Sequence, residues 1–494
     1  MEVWFLILVT LSVAALLRAT LNLLSSAPNK KSLPSGPLTF PVVGNFLWLL
    51  KSLSELEPVL RSLHARYGPM VTLHVGSRPT VFVASPALAH EALIHRGAIF
   101  ADRPPPSTTI RLLSSNQHNI NTSSYGPTWR LLRRNLTVEI LHPSRLRSYS
   151  HAHARPGNVV RVINHFRYAM FCLLVLMCFG DGLEEKQIKQ IEEVQRRMLL
   201  GQRRFYVLNF WPWLSMLVLR KRWKEFSELC ECRKCILIPL IGARLKAKQE
   251  QLSKAREDGN DDDNDWIVPY VDTLLDLELP EEKRKLEEAE IVGLSWEFLN
   301  AGIDNTSTAL QWIMANLVKH PEIQEKLYVK SEDLQRMGYL KAVVLEGLRR
   351  HPPGHFVLPH AVKEDAELGG YAIPRDATIN FMVAEMGWDP EVWEDPMEFK
   401  PERFMMSGGG ADGGEASGFD ITGSREIKMM PFGVGRRICP GYGLAMLHLE
   451  YFVANLVWQF KWRTVSGEEV DLSEKQEFTI VMKNSLRAQI SSRS

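Results

Sequence analysis

One stretch of the chain leaves its backbone few choices: Phe432-Gly433-Val434-Gly435-Arg436-Arg437-Ile438-Cys439-Pro440-Gly441. A single cysteine sits among glycines, an arginine stands two residues before it, and an apolar segment from Tyr442 to Trp458 follows. Gly435 and Gly441 permit turns and a close backbone approach that a Cβ forbids. The pattern is a cradle around one sulfur. Pro440 suits the first turn of the helix predicted to start there. A helix N-terminus and a neighbouring cation both favour thiolate over thiol, and Arg437 supplies the cation. A lone thiolate held this way suits an axial haem ligand. A lone cysteine is more often a small buried hydrophobe, but the Phe, Gly, Arg and Gly at these spacings argue against that here.

The stretch matches F-x-x-G-x-R-x-C-x-G in full and resembles the haem-binding loop of the cytochromes P450. The resemblance implies that Cys439 is the proximal iron ligand of a haem b. It also implies that Arg437 pairs with a haem propionate and that Phe432 packs by the sulfur.

With 494 residues and 45% hydrophobic content the chain can bury a large core. No linker divides it after Pro34, so it reads as one large domain, 38–494, behind an N-terminal anchor. A formal net charge of +2 gives no concentrated basic face for nucleic acid. Six cysteines in so long a chain do not make a disulfide framework. Cys230, Cys232 and Cys235 cluster, but no second Cys/His pair lies at zinc-ligand spacing. They read as thiols on an amphipathic helix, in a cytosol-facing compartment.

Val3 to Leu17 is almost wholly apolar, and Leu21, Leu23 and Leu24 extend it. The residues before it are not basic, whereas Arg18, Lys30 and Lys31 follow it. A cleaved signal would have a basic head, and the positive-inside rule keeps the C-terminal flank cytoplasmic. Residues 1–24 therefore read as an uncleaved signal anchor. Residues 25–37, ending in Leu33-Pro34-Ser35-Gly36-Pro37, form a stiff hinge. That hinge resembles the one in microsomal P450s and implies an endoplasmic reticulum membrane address, with the body facing the cytosol.

Met70–Gly76 and Thr80–Ala84 alternate and carry β-branched residues, which predicts two strands joined by a turn. Ser107–Ser124 looks irregular, and in the P450 fold the corresponding region covers the substrate pocket. Trp129 and Arg133 are four apart on a predicted basic helix and share a face. They match the P450 W-x-x-x-R pattern, whose members reach the haem propionates. Ala169–Phe179 and Ile188–Gln202 predict buried and amphipathic helices. Two junctions, near Ala154–Gly157 and near Val329–Ser331, run shorter than in the relatives they resemble, and Pro156-Gly157 cannot continue a helix. Asp261–Asp265 lacks the Gly and Glu that a calcium loop needs and reads as a solvated acidic loop.

Glu281 to Lys319 is the longest helical pattern, with Ile291, Leu294, Phe298, Leu310, Ile313 and Leu317 at helical spacing. Ala301-Gly302 and Asp304-Asn305-Thr306 cut a small, polar notch into it. A notch admits a small ligand to the backbone, and its side chains can relay protons. It resembles the oxygen-binding groove A-G-x-D-T-T of the P450 central helix, which implies catalytic roles for Asp304, Asn305 and Thr306. Asn305 is the departure, since most members carry there the threonine that passes protons. An amide donates hydrogen bonds but shuttles protons poorly. Thr306 lies about 100° further round the helix and cannot simply replace it.

Glu346 and Arg349, three apart on a predicted helix Leu340–His351, can form an ion pair and look half-buried. They match the P450 E-x-x-R element, whose partner P-E-R-F is present as Pro401-Glu402-Arg403-Phe404, so Arg403 joins them. By resemblance His360 contacts a propionate, and a surface histidine is the alternative. Gly408, Gly410 and Gly413 fit a nucleotide fingerprint in spacing only, because no strand precedes them and no helix follows.

The chain thus reads as a mainly α fold with small β-sheets, the cytochrome P450 fold with two shortened segments. It most resembles the plant A-type microsomal members, in particular the eighty-ninth numbered family. The resemblance implies a haem-thiolate monooxygenase that places one atom of O2 in a small apolar substrate. Electrons come from NADPH through a separate NADPH–cytochrome P450 reductase. Pocket residues are expected from Ser107–Ser124, Leu294–Gly302, His355–Leu358 and Thr479–Met482. Two alternatives stand beside this reading. Asn305 suits a relative that rearranges an oxygenated substrate without O2 or reductase, and the shortened junctions suit a catalytically impaired one.

Overall fold

The computed structural model describes residues 32–38, 45, 53–75, 78–115, 117–142, 162–180, 183–209, 212–258, 268–329, 335–375, 377–405, 419–465 and 468–493. The predicted anchor, the junction Ala154–Gly157, Lys330 and Ser331 of the other junction, the acidic loop Asp261–Asp265 and the glycine run Gly408–Gly413 lie outside the described residues. Among the described residues no helix is long and apolar enough to cross a membrane. The chain divides into two compact units. One comprises the segments up to Pro104, His355–Asp389 and Asp420–Arg437; the other comprises Pro105–Gly354, Pro390–Phe419 and Ile438–Ser494.

The first unit is built on a four-stranded sheet. Helix α1 (Leu53–Tyr67) leads into β1 (Met70–Val75) and β2 (Arg78–Val83), and β3 (His360–Ala361) and β4 (Thr378–Phe381) complete the order β1-β2-β4-β3. The two predicted strands pair antiparallel, Met70 opposite Val83. β2 then pairs parallel with β4, Thr80 beside Thr378. The period-two alternation sorts the side chains by face. Val71, Leu73 and Phe82 pack with Leu56, Leu60 and Leu63 of α1. Met70, Val81 and Val83 face the other way, onto a cluster that includes Phe100, Phe381, Met430 and Val434. The residues before the cysteine are thereby seated on the sheet. The hinge is tied to this unit too, since the Thr72 N–H donates to the Ser35 carbonyl at 3.2 Å.

The second unit is helical. Its helices include α2 (Pro127–Asn135), α3 (Val162–Phe179), α4 (Glu185–Tyr206), α5 (Arg220–Asp258), α6 (Glu288–Lys319), α7 (Gln335–Arg350) and α8 (Tyr442–Gln459). A two-stranded hairpin of β5 (Glu474–Gln476) and β6 (Ile480–Met482) accompanies them. Cys230, Cys232 and Cys235 lie on α5, the first half-buried and the other two exposed. α6 starts seven residues later than its periodicity suggests. Glu278–Leu279 and Arg284–Lys285 fold back as a short antiparallel pair, and Lys283 takes φ 50°, which a right-handed helix cannot contain. Glu287 and Glu290 then form a capping box that opens the helix. α8 likewise begins after Pro440, with Gly441 at its N-cap.

α6 is buried on almost every side, and buried polar residues on it bond back to its own carbonyls, Ser307 to Ile303 and Asn316 to Trp312. α3 comes close at Gly302, where a Cβ would stand 2.6 Å from Leu174 Cδ1 and the leucine would have to turn aside.

Candidate functional site

Between its two ends, α6 is interrupted at one place only. Ala301 and Asn305 are exposed and Glu297, Asn300 and Gly302 partly so, while every other residue from Glu290 to Val318 is buried. Positions 297, 301 and 305 succeed one another by four and form one stripe, so the middle of a buried helix looks onto open space. The three catalytic candidates do not share this view. Only Asn305 faces the opening, and its Nδ2 donates to the Ala301 carbonyl at 2.9 Å. Thr306 is buried, as its angular offset requires.

Asp304 is buried as well and belongs to a group of four charges. Arg167 of α3 stands 3.1 Å from its carboxylate and Arg196 of α4 3.4 Å. Glu477, just after β5, lies 3.2 Å from Arg196 and 4.0 Å from Arg167. Burial pushes the Asp304 carboxyl above its ordinary range, and Glu477 adds to this, while the two guanidinium groups pull the other way.

Cys439, in the same unit, retains part of its surface. Burial raises its thiol pKa, opposed by a hydrogen bond from the Gly441 N–H and by the charge of Arg133. The helix terminus acts as the sequence suggested, but the cation that acts on the sulfur is Arg133 of α2. Burial outweighs both, and a coordinating metal would have to displace the proton. Arg133 lies over the Trp129 ring, 5.9 Å from its centroid. The buried Trp129 donates its indole N–H to the Ile120 carbonyl at 3.0 Å.

The other residues singled out for a haem lie in the first unit. Phe432 is half-buried at the head of the loop. Gly435 takes φ 72°, and a Cβ there would meet the Leu93 carbonyl oxygen at 2.2 Å, so only glycine fits. Arg437 Nε donates to the Ala101 carbonyl at 2.7 Å. His360 is buried, not a surface residue, and its Nδ1 lies 2.6 Å from the Phe100 carbonyl. That oxygen can only accept, so Nδ1 carries the proton. Burial, with Arg103 and Arg437 nearby, lowers the His360 pKa to about 3 despite that bond.

Glu346, Arg349 and Arg403 are brought together, the first two buried completely rather than by half and Arg403 keeping a little surface. Arg349 holds Glu346 bidentately at 2.7 and 2.8 Å, and Arg403 Nε reaches the same carboxylate at 3.2 Å. The remaining guanidinium hydrogens go to backbone carbonyls of Glu394, Pro396 and Glu398.

A haem asks for a reachable thiol, cations for its carboxylates and an open face above the metal. Cys439 keeps accessible surface, Arg133 acts on its sulfur, and the α6 stripe is open; the residues fit the group.

Residues 34–491 match the family model for cytochrome P450. The chain belongs to the cytochrome P450 family. It is 49% identical to Cytochrome P450 89A9 of Arabidopsis thaliana over 499 residues, covering 93% of each chain. With (+)-menthofuran synthase of Mentha piperita it shares 31% over 517 residues, 97% of this chain and 98% of the relative. Among solved structures, a retinoic acid bound cyanobacterial P450 aligns with TM-score 0.70 at 19% identity, over 94% of this chain and 100% of that one. A zebra fish P450 structure with progesterone aligns at TM-score 0.68 and 21% identity, over 88% and 99%. These structures speak to the fold, which is the P450 fold. As a P450 the chain is an oxygenase of the haem monooxygenase family.

Sequence reasoning missed Arg167, Arg196, Glu477 and Glu297. The first three sit on separate elements and carry no local signal. Glu297 had one: it is the single charge between Glu290 and Asp304, on the stripe of Asn305.

Proposed function

We propose that this P450 is a haem-thiolate monooxygenase that inserts one oxygen atom from O2 into a small apolar organic molecule. NADPH supplies the electrons through a separate P450 reductase. The observation that carries the reading is the open stripe Ala301–Asn305 in an otherwise buried helix, within the unit that also holds Cys439. A haem bound there supplies the activation of O2 and its transfer to substrate. Cys439 would be its thiolate ligand. By resemblance Trp129, Arg133, His360 and Arg437 would hold its propionates, which requires Trp129 and His360 each to exchange its N–H bond, to the Ile120 and the Phe100 carbonyl respectively. Asn305 offers an amide to the space above, and Asp304 holds charge behind it. Relatives named for small organic molecules, a flavonoid 3'-monooxygenase and (+)-menthofuran synthase, support the substrate class. The apolar N-terminal stretch supports an anchor in the endoplasmic reticulum membrane with the body in the cytosol.

The test is the reduced carbon monoxide difference spectrum of the purified full chain. We expect the red-shifted Soret band of haem-thiolate, and its loss in Cys439→Ala. A band from a protonated or absent thiolate in the wild type overturns the reading and favours an impaired enzyme. Asn305 in place of threonine supports a second reading, rearrangement of an oxygenated substrate. Turnover that proceeds without NADPH would select it.

A further inference from the structure

We propose that Glu297 is a positioning residue that seats the loop Gln117–Tyr125 and so sets the size of the space above Asn305. The proposal rests on the reading of that space as the substrate pocket. The two oxygens of Glu297 accept two consecutive backbone N–H groups, Ile120 at 2.8 Å and Asn121 at 2.7 Å. A carboxylate on successive amides is the protein's own version of an anion in a backbone nest, and such charge-assisted bonds are roughly twice as strong as neutral ones. The same Ile120 residue is gripped from its other side, where its carbonyl accepts the Trp129 indole N–H.

The rest of the loop is built to present those two amides. Asn119 Oδ1 accepts from the Thr122 N–H at 2.9 Å and from its hydroxyl at 2.7 Å, and Ile120 is buried. Ser115 and Gln117 hold positive φ, 42° and 64°, a conformation that costs a non-glycine residue free energy. At its head, Ser115 Oγ donates to the Ala289 carbonyl at 2.8 Å, and His118 meets Glu290 and Glu282. The loop thus tracks α6 from Ala289 to Glu297, and Glu297 attaches it at the first position of the stripe. Eight residues of helix separate it from Asn305, about 12 Å of rise. Glu297 therefore acts through the loop, and Ile120 and Asn121 are what it places.

Glutamine at 297 keeps the shape but presents an amide nitrogen to one of two N–H donors. One bond is lost and one donor faces another. A merely structural role would lower stability and leave ligand selection alone, so the test reads selection. Full-length haem-loaded protein is titrated with imidazole and with 4-phenylimidazole, following the Soret shift. Between wild type and Glu297→Gln, we expect the ratio of the two affinities to change about tenfold, the weight of one charge-assisted bond. The carbon monoxide spectrum should not change. A ratio unchanged within about twofold overturns the proposal. If Glu297→Gln does not take up haem, Glu297→Asp is read by the same threshold.

Amide exchange in the wild type tests the seat without any variant. Ile120 and Asn121 should be protected, and exchange at the rate of an unstructured chain overturns the proposal. A wild type without the thiolate band sinks the haem reading instead, and the exchange result then decides the loop on its own.

Discussion

Two groups of buried charge in the helical unit are built in opposite ways. In the first, Glu346 takes both nitrogens of Arg349 at 2.7 and 2.8 Å, Arg403 closes on the same oxygen, and main-chain carbonyls take the hydrogens left over. In the second, Asp304 meets Arg167 and Arg196 at 3.1 and 3.4 Å, and Glu477 completes the group at 3.2 and 4.0 Å. In the first, Glu346 and Arg349 are dry and Arg403 keeps 11% of its side-chain surface, whereas Arg196 and Glu477 keep 33% and 22%. Desolvation is costly for both, but only the first recovers it through short, directed bonds. The first works as a knot that fixes α7 to the segment around Pro401–Phe404. The second is held more loosely, and its Asp304 lies on α6 beside the open stripe, about 100° round the helix from Asn305.

The largest expected effect separates the two. Glu346→Gln leaves Arg349 and Arg403 buried without their counter-charge. Breaking such a pair from one side costs about 3–5 kcal/mol, enough that the protein should lose haem on purification. Asp304→Asn should be far milder. The Asp304 carboxyl lies above its ordinary range, so the folded chain binds its proton more tightly than the unfolded chain does. Raising the pH through that folded value subtracts stability, and asparagine removes the term. We expect Asp304→Asn to unfold in urea within about 1 kcal/mol of wild type at neutral pH, with the difference shifting in its favour as pH rises from the acid side. Equal losses for the two variants would erase the distinction.

A third buried group has neither arrangement and sharpens the contrast. His360 is buried with the Phe100 carbonyl as its hydrogen-bond partner and the Phe381 ring beside it, and its pKa falls to about 3. Between about 3 and 6.5 the unfolded chain binds the proton and the folded chain does not, so stability rises with pH. The slope is about 1.4 kcal/mol per pH unit for one such histidine. Buried His448, lowered to about 4, adds to it over part of the range. His360→Asn keeps an N–H donor for Phe100 and cannot titrate. Its stability below pH 6.5 should fall less steeply than wild type in urea melts; parallel curves would show that His360 is not enclosed as described.

Much of this was legible in the sequence, and the part that was not has a physical reason. Strand alternation at Met70–Val75 and helical spacing through Ile291, Leu294 and Phe298 are local, and the elements follow them. The knot was readable because three of its residues sit in two short motifs. Its complete burial was not, since burial depends on what packs over Glu346 from elsewhere. Residues 281–287 were read into the helical pattern, but Lys283 turns the chain back. The quartet around Asp304 draws on four elements with no common spacing, so no pattern announces it. Charge near the sulfur was expected from the residue two before it in sequence and comes from α2 instead.

The smallest expected effect on stability belongs to Asn305, which tests whether the loose group has a chemical neighbour. Asn305 donates to the Ala301 carbonyl one turn back, and a threonine hydroxyl can make the same i−4 bond in a helix. The exposed side chain packs against little, so Asn305→Thr should change stability by no more than about 0.5 kcal/mol. What changes is proton transfer. A hydroxyl donates and accepts at one oxygen and can pass a proton along, whereas the amide nitrogen only donates. If the space above Asn305 is where O2 is used, threonine there should lower the peroxide released per NADPH consumed several-fold, with product rising to match. Asp304→Asn in the Asn305→Thr background should then undo the gain if Asp304 is the proton source behind the stripe. Unchanged peroxide release in Asn305→Thr would mean that Asn305 is not the break in the relay. A gain that survives Asp304→Asn would leave the loose group with no part in proton supply, its slackness then a matter of packing between α3, α4 and the β5–β6 hairpin.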